Sequence, residues 1–146
     1  MINAQFKNLC REASLVLGVS DVEAFSLSGE ICVEGVDIAA HFEEDLAPDR
    51  IFCYLDVGQI DNDSAAIRKL LTLNLASGSK ADGVFALDAT SGNALLVVHL
   101  LNPDGFDGQS MADSLCRHAA RASAARELLV PNDSGFPPTP AGMTQG

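Results

Sequence analysis

The spacing of hydrophobic residues divides the chain into helical and extended segments. Residues 2–17 place apolar side chains three and four positions apart, which predicts an amphipathic helix, and Gly18 follows as a natural C-cap residue. Between Val22 and Gly58 the period changes to two, with glycines and an acidic loop as breaks. That stretch predicts an antiparallel meander of about three strands, in which Phe25 and Leu27 belong to the first extended segment.

A second helix is predicted from the polar cluster at 61–64 to about Ser77. Side-chain oxygens in such a cluster accept hydrogen bonds from the free amides of the first helical turn. The helix is unusually apolar, because four of its leucines cannot share one narrow stripe. A helix that is apolar on most sides must be buried on most sides, and in a domain this small a second copy of the chain supplies that burial best. The four leucines are Leu70, Leu71, Leu73 and Leu75.

The remaining pattern predicts a hairpin of strands at 83–88 and 94–101, then a final helix at about 109–129. The fold class is therefore α+β, with the order α-β-β-β-α-β-β-α and the helices packed on a bent antiparallel sheet. Residues 1–130 are expected to form the domain, and the Pro- and Gly-rich residues 131–146 a flexible tail. The buried side of the last helix is predicted to consist of Met111, Leu115, Ala119, Ala122 and Leu128.

The chain is strongly acidic, with 20 acidic and 9 basic residues and a net charge of -11 over 146 residues. Such a surface repels phosphate backbones and anionic lipid, which disfavours nucleic-acid and membrane partners. It suits a partner that is basic or prone to aggregate. No apolar run reaches the roughly 18–20 residues that span a bilayer.

Cysteine usage indicates a reducing compartment. Cys10, Cys32, Cys53 and Cys116 form no CxxC pair and all lie in apolar stretches. The first residues also lack a basic region followed by an apolar run, so a signal peptide is not expected. Buried free thiols are therefore expected rather than disulfides.

Residues that could carry chemistry do not form a recognisable site. His41, His99 and His118 are isolated in sequence, and no phosphate loop or nucleophile elbow occurs. The polar cluster at 61–64 resembles the opening of a calcium loop, but Ala66 and Thr72 stand where that loop needs Gly and Glu. We therefore expect no catalytic residue, metal or cofactor. Basic side chains on the last helix predict a solvated face, with a docking site for an acidic partner as the alternative; they are Arg117, Arg121 and Arg126.

Three segments together resemble a known family. Residues 70–76 read Leu-Leu-Thr-Leu-Asn-Leu-Ala, residues 83–88 read Gly-Val-Phe-Ala-Leu-Asp, and residues 92–96 read Gly-Asn-Ala-Leu-Leu. A helix ending in Leu-x-x-Asn-Leu, a Phe-Ala-Leu-Asp-like strand and a Gly turn resemble the class I chaperones of bacterial type III secretion, the Tir-chaperone-like family. The resemblance covers residues 2–129.

The resemblance implies a homodimer in the bacterial cytoplasm that holds the N-terminal region of a secreted effector in non-globular form, without ATP or metal. It places effector binding on the first helix and meander, and dimerisation on the second helix and the strands that follow. The implied effector-binding residues are Phe6, Leu9, Phe25, Leu27, Ile31, Val33, Ile38 and Phe42. The implied dimer-interface residues are Leu70, Leu73, Leu75, Phe85, Leu95 and Val97.

Two other hypotheses remain open at this point. The chain could be a regulatory adaptor that sequesters a folded partner, such as a transcription factor or an export component. It could also be a small enzyme or ligand binder that uses His41, His99 or a cysteine. An adaptor would bind a folded domain where a chaperone binds an unfolded stretch, and an enzyme would lose turnover on a single His-to-Ala change.

Overall fold

The computed structural model describes residues 1–77 and 82–129 and contains four α-helices and five strands in that part of the chain. The helices are α1 (Asn3–Leu17), α2 (Ala24–Ser28), α3 (Ser64–Ser77) and α4 (Gly108–Leu129). The strands are β1 (Glu30–Val33), β2 (Val36–His41), β3 (Arg50–Gln59), β4 (Val84–Asp88) and β5 (Asn93–Leu101). A 3-10 turn at Pro103–Gly105 precedes α4.

The strands form one antiparallel sheet in the order β1-β2-β3-β5-β4. A bulge between Asp56 and Gly58 interrupts the register of β3 with β5, and bulges of this kind bend the strand that carries them. The α+β fold class is thus confirmed. The predicted meander corresponds to β1–β3, and the predicted hairpin to β4 and β5.

The two faces of the sheet differ in burial. Side chains on the inner face, such as Ile51, Leu55, Leu96 and Val98, are fully buried beneath α4. Those on the outer face, such as Tyr54 and Leu101, remain partly exposed. We use the names inner face and outer face in this sense below.

Helix α4 packs closely because its inner side consists of small residues around Met111 and Leu115, as the alanine-rich sequence predicts. The predicted burial of Leu128 is wrong, since that side chain is exposed and the neighbouring Leu129 is buried. Helical geometry turns each residue by about 100°, so a one-residue error moves the side chain to another face.

The first extended segment is also corrected. Residues 24–28 form the helix α2 instead of a strand, between an Asp21 side chain that accepts a hydrogen bond from the Glu23 amide (3.0 Å) and Gly29 in the left-handed conformation (φ 76°). Phe25 is therefore buried and Leu27 is 78% exposed, whereas alternation would put both on one face. The predicted polar start of the second helix is confirmed, since Asp63 Oδ1 accepts hydrogen bonds from the amides of Ala65 and Ala66.

Candidate protein-binding surfaces

The edge of the sheet at β1 offers free backbone groups. The β1–β2 turn consists of Glu34 and Gly35, both with positive φ, and Val33 pairs with Val36 next to it. Hydrogen-bonded and non-hydrogen-bonded pairs alternate along an antiparallel hairpin, so Cys32 directs its N–H and C=O away from β2. An extended polypeptide could therefore pair with β1 at this residue.

An apolar recess lies beside the β1 edge. It has a volume of about 290 Å³ and is lined by α2, β1 and the loop that precedes α2. Phe25 and Ile31 form its apolar floor, and Glu30 and Asp21 lie at its rim. The edge thus combines backbone hydrogen-bonding groups with a side-chain pocket, the two elements by which a sheet recognises an added strand.

The eight predicted effector-binding residues divide into buried and accessible sets. Phe6 and Ile31 are half-buried and Leu27 is exposed, so a partner could contact these three. Phe6 also stacks on Phe42, with ring centroids 5.6 Å apart. The other five belong to the core of the protomer: Leu9, Phe25, Val33, Ile38 and Phe42.

The opposite edge of the sheet, at β4, is capped at Phe85 by a side chain. The Asn74 amide of α3 donates from Nδ2 to the Phe85 carbonyl oxygen at 2.9 Å and accepts from the Phe85 N–H at 2.7 Å. One side chain therefore makes the two hydrogen bonds that a neighbouring strand would make. This asparagine belongs to the Leu-x-x-Asn-Leu motif that carried the family resemblance, but the motif alone does not reveal which backbone groups its amide contacts.

The predicted dimer-interface residues also divide. Leu70 and Phe85 are buried within the protomer, and Leu73, Leu95 and Val97 are half-buried. Leu75 is 82% exposed. Helix α3 packs on β4, where Asn74 meets Phe85, and Leu95 and Val97 lie on the outer face.

Other exposed apolar side chains join these surfaces. Leu71 on α3 is 64% exposed and Val84 on β4 is 56% exposed. On α1, Leu15 and Val16 are exposed as well. The sequence signalled Leu71 as one leucine too many for a single apolar stripe, whereas the helical period of α1 gave no sign that both Leu15 and Val16 are exposed.

A charged cluster joins α4 to the residues before β4. His118 is buried, with Nδ1 3.0 Å from Arg121 Nη1 and Nε2 3.4 Å from Arg117 Nη2. Arg121 also donates to the Asp82 carbonyl oxygen. Burial, followed by the two guanidinium charges, lowers the pKa of His118 to about 4, so the ring is neutral and accepts from Arg121. The predicted solvated face is confirmed for Arg117 but wrong for Arg121, which is half-buried.

The other two histidines lie on the outer face, on either side of Phe52 in the strand register. His41 contacts Glu43 at 2.6 Å, and His99 packs edge-on against Phe52 with ring centroids 4.8 Å apart. Within residues 1–77 and 82–129, no group of three or more His, Cys, Asp or Glu residues is arranged to hold a metal ion. In the same part of the chain, no helix has the length and apolar character needed to cross a bilayer.

The four cysteines are free thiols, as predicted. Burial raises the pKa of both Cys10 and Cys53 to about 12, so these thiols are protonated and unreactive. The expectation of burial is wrong for Cys32, which is exposed on β1, and Cys116 is half-buried.

An open strand edge beside an apolar recess, together with an exposed apolar helix, is the architecture of a domain that binds other polypeptides. Residues 17–126 match the Tir chaperone protein (CesT) family, which is more than half of the chain. The chain therefore belongs to this family, and the resemblance to class I type III secretion chaperones is confirmed. A comparison with curated protein sequences found no match.

Solved structures with low sequence identity share the fold. The ExsC–ExsE complex aligns with a TM-score of 0.69 at 16% identity, covering 88% of this chain and 96% of the other. The HopA1–SchA chaperone–effector complex aligns at 0.61 and 15% identity, covering 86% and 95%. The Yersinia pestis type III secretion chaperone SycH, in complex with a stable fragment of YscM2, aligns at 0.54 and 22% identity, covering 82% and 98%.

Proposed function

We propose that this protein is a cytoplasmic type III secretion chaperone that acts as a homodimer. It binds the non-globular N-terminal segment of a secreted effector and keeps that segment soluble and ready for export. The observation that carries the proposal is the open β1 edge beside its apolar recess. Membership of the Tir chaperone family supports it, as does the likeness in fold to SchA and SycH, chaperones solved with bound partners.

The mechanism is binding alone. An effector strand pairs with the Cys32 N–H and C=O and places a side chain in the recess between Phe25 and Ile31. Ordering an unfolded chain costs roughly 1–2 kcal/mol per residue, so one short contact gives little affinity. A longer contact that continues over Leu27 and Phe6 supplies the additional apolar burial.

In this proposal, the five buried members of the predicted effector-binding set have an indirect role. They pack beneath the accessible residues and fix their positions, and they need not contact the effector. The homodimer forms through the exposed side of α3, where Leu71 and Leu75 project, and through the adjoining part of the outer face with Leu95 and Val97. This assignment puts the partner subunit at the β4 end of the sheet and the effector at the β1 end.

The first experiment identifies the client and then tests the edge. The protein is purified from its native bacterium, bound proteins are identified by mass spectrometry, and the bound segment is made as a peptide. Cys32→Pro removes the outward N–H without removing a hydrogen bond of the sheet, since proline is tolerated at such edge positions. Loss of a net hydrogen bond of about 1 kcal/mol weakens peptide binding by at least about fivefold. Cys32→Ser, which keeps the N–H, is the matched control.

A second pair of variants tests the apolar contact. Leu27→Asp should weaken client binding, whereas Leu46→Asp should leave it unchanged, although the two leucines are 78% and 82% exposed. Equal affinities of the Cys32→Pro and Cys32→Ser proteins would contradict strand addition at β1. A client that binds only as a folded domain, and not through its unfolded segment, would favour the regulatory adaptor instead.

A further inference from the structure

The outer face of the sheet carries a groove of about 630 Å³ across β1, β2 and β3. The strand register fixes its floor, since Glu30 pairs with Ala39 and Ala39 pairs with Tyr54. Because Ala39 is small, the groove lies open between the Glu30 carboxylate and the Tyr54 ring. Helix α4 covers the inner face of these strands and leaves this side free.

Three carboxylates surround the groove. The register of β2 and β3 brings Asp37 and Asp56 to neighbouring positions on the outer face, and both line the groove with Glu30. The Asn93 amide donates a hydrogen bond from Nδ2 to Asp56 Oδ1 at 2.8 Å. The ion pairs among the described residues are all formed by carboxylates other than these three. Like charges on facing strands repel, so a cation bound here would relieve that repulsion.

We propose that this groove binds a lysine or arginine side chain of the effector segment. The inference rests on the proposed function and adds the chemistry that the client must present. The cation would lie against the Tyr54 ring, whose π face attracts cations, and form charge-assisted hydrogen bonds with the carboxylates. The apolar stem of the same side chain would lie along Ala39 and Leu95, which also line the groove.

The distribution of charge favours such a client over an acidic one. Residues 1–60, which contain the β1 edge and the three carboxylates of the groove, carry 11 acidic and 3 basic side chains. Residues 61–146 carry 9 acidic and 6 basic side chains. The field of the first half therefore attracts a basic segment toward the surface that offers it a strand edge. A second copy of the chain is the rival occupant, because His41, Arg50 and His99 lie at the other end of the outer face.

The chain itself supplies the reporter for a test. It contains one tyrosine and no tryptophan, so tyrosine fluorescence comes from Tyr54 in the groove. The probes are three capped eight-residue peptides that alternate valine with lysine, with norleucine or with glutamate. We expect the lysine peptide to change the emission and to bind about tenfold more tightly than the norleucine peptide, with an affinity that falls as salt rises. The glutamate peptide should not bind.

Matched double variants separate the groove from overall charge. Glu30→Gln with Asp37→Asn should weaken binding of the lysine peptide at least about fivefold, measured by calorimetry as well as fluorescence. Asp45→Asn with Glu127→Gln changes the net charge by the same amount at exposed sites outside the groove. That control should keep the affinity within about twofold, because distant exposed charges are screened.

Three results would overturn the inference. These are equal binding of the lysine and norleucine peptides, equal losses in the two double variants, or a change in molecular mass of the groove variant by light scattering. The last would show that a second copy covers this face. If only the groove assignment is wrong, the effector segment still binds the Cys32→Ser protein more tightly than the Cys32→Pro protein. If the proposed function itself is wrong, no unfolded effector segment binds either protein.

Discussion

Each edge of the sheet is capped at one residue by a side chain, and the two edges differ in what lies beside them. At β4, the Asn74 side chain takes both backbone groups of Phe85 with hydrogen bonds of 2.9 and 2.7 Å. At β1, the Ser28 hydroxyl accepts from the Glu30 N–H at 3.0 Å and donates to the Glu30 carbonyl oxygen at 3.3 Å, whereas the outward groups of Cys32 lie beside the apolar recess. An unpaired edge is a site of unwanted association, and natural proteins usually block it. The recess gives an added strand a side-chain pocket next to Cys32, so β1 is the edge that favours strand addition.

In the proposed function, this difference separates the two ends of the molecule. Because α3 packs on β4 and Asn74 caps Phe85, a second subunit at that end would bind through side chains of α3 and the outer face. At Cys32 of β1, main-chain pairing is available beside the recess. The client and the partner subunit would thus be recognised by different kinds of contact, and variants can separate them.

The largest expected effect is on the dimer. Leu71→Glu with Leu75→Glu changes two side chains that are exposed in the protomer, so the fold should persist. In a dimer that buries this face, an unpaired charge costs about 3–5 kcal/mol, which weakens association at least about 100-fold. Light scattering should show the mass fall from about twice 15.3 kDa to 15.3 kDa. Leu46→Glu, at another exposed leucine, should remain dimeric, and an unchanged mass of the double variant would remove α3 from the interface.

A smaller effect is expected from opening the closed edge. Asn74→Leu removes two hydrogen bonds, which at about 1 kcal/mol each should lower the free energy of unfolding in urea by about 2 kcal/mol. The newly exposed edge should also produce assemblies larger than a dimer at high concentration, visible by sedimentation. Asn8→Leu is the control, because its amide reaches only an exposed carboxylate of Glu12. If the unfolding curves of wild type and Asn74→Leu coincide, the asparagine does not hold this edge.

The last prediction concerns pH. The pKa of His118 is lowered from its ordinary value of 6.5 to about 4 by burial and by Arg117 and Arg121, so the unfolded chain binds this proton more readily. Stability is therefore lost as the pH falls from about 6.5 to about 4. The urea midpoint of His118→Asn should fall less over this range than that of wild type, while the exposed His41→Asn should follow wild type. Asp82 is unchanged in all three proteins. If the urea midpoints of wild type and His118→Asn fall in parallel as the pH is lowered, His118 is not the cause of the loss of stability.

The sequence predicted the helices and strands best where the pattern was long. Helix α3 was evident from its leucines and from the polar residues before it, and the changes of hydrophobic period along the chain gave the order of elements. Surplus apolar residues on α3 also predicted that the protomer alone cannot cover it, and Leu71 and Leu75 are indeed exposed.

Short elements and single side-chain contacts could not be predicted in the same way. A segment of only five residues fits a helical and an alternating period almost equally well, so α2 was predicted as part of a strand. The tertiary packing of Phe25 decides the structure of this segment. The effector-binding set was chosen by hydrophobicity, which selects core residues such as Val33 and Ile38 together with surface ones. The pairing of Asn74 with Phe85 depends on where α3 ends relative to β4, and no local pattern encodes that distance.

Helix α4 runs behind the sheet as one piece of 22 residues, about 33 Å long. Its first residue, Gly108, lies against Glu12 of α1, where an added Cβ would come within 2.7 Å of the Glu12 side chain. Its last turn meets α3, where Lys69 donates to the Leu128 carbonyl oxygen at 3.3 Å. The helix therefore links α1 to α3, and in a twofold assembly built on α3 the two β1 edges would lie at a set separation. An effector that occupies both must carry enough unfolded chain to bridge that gap, which sets a minimum length for its disordered region.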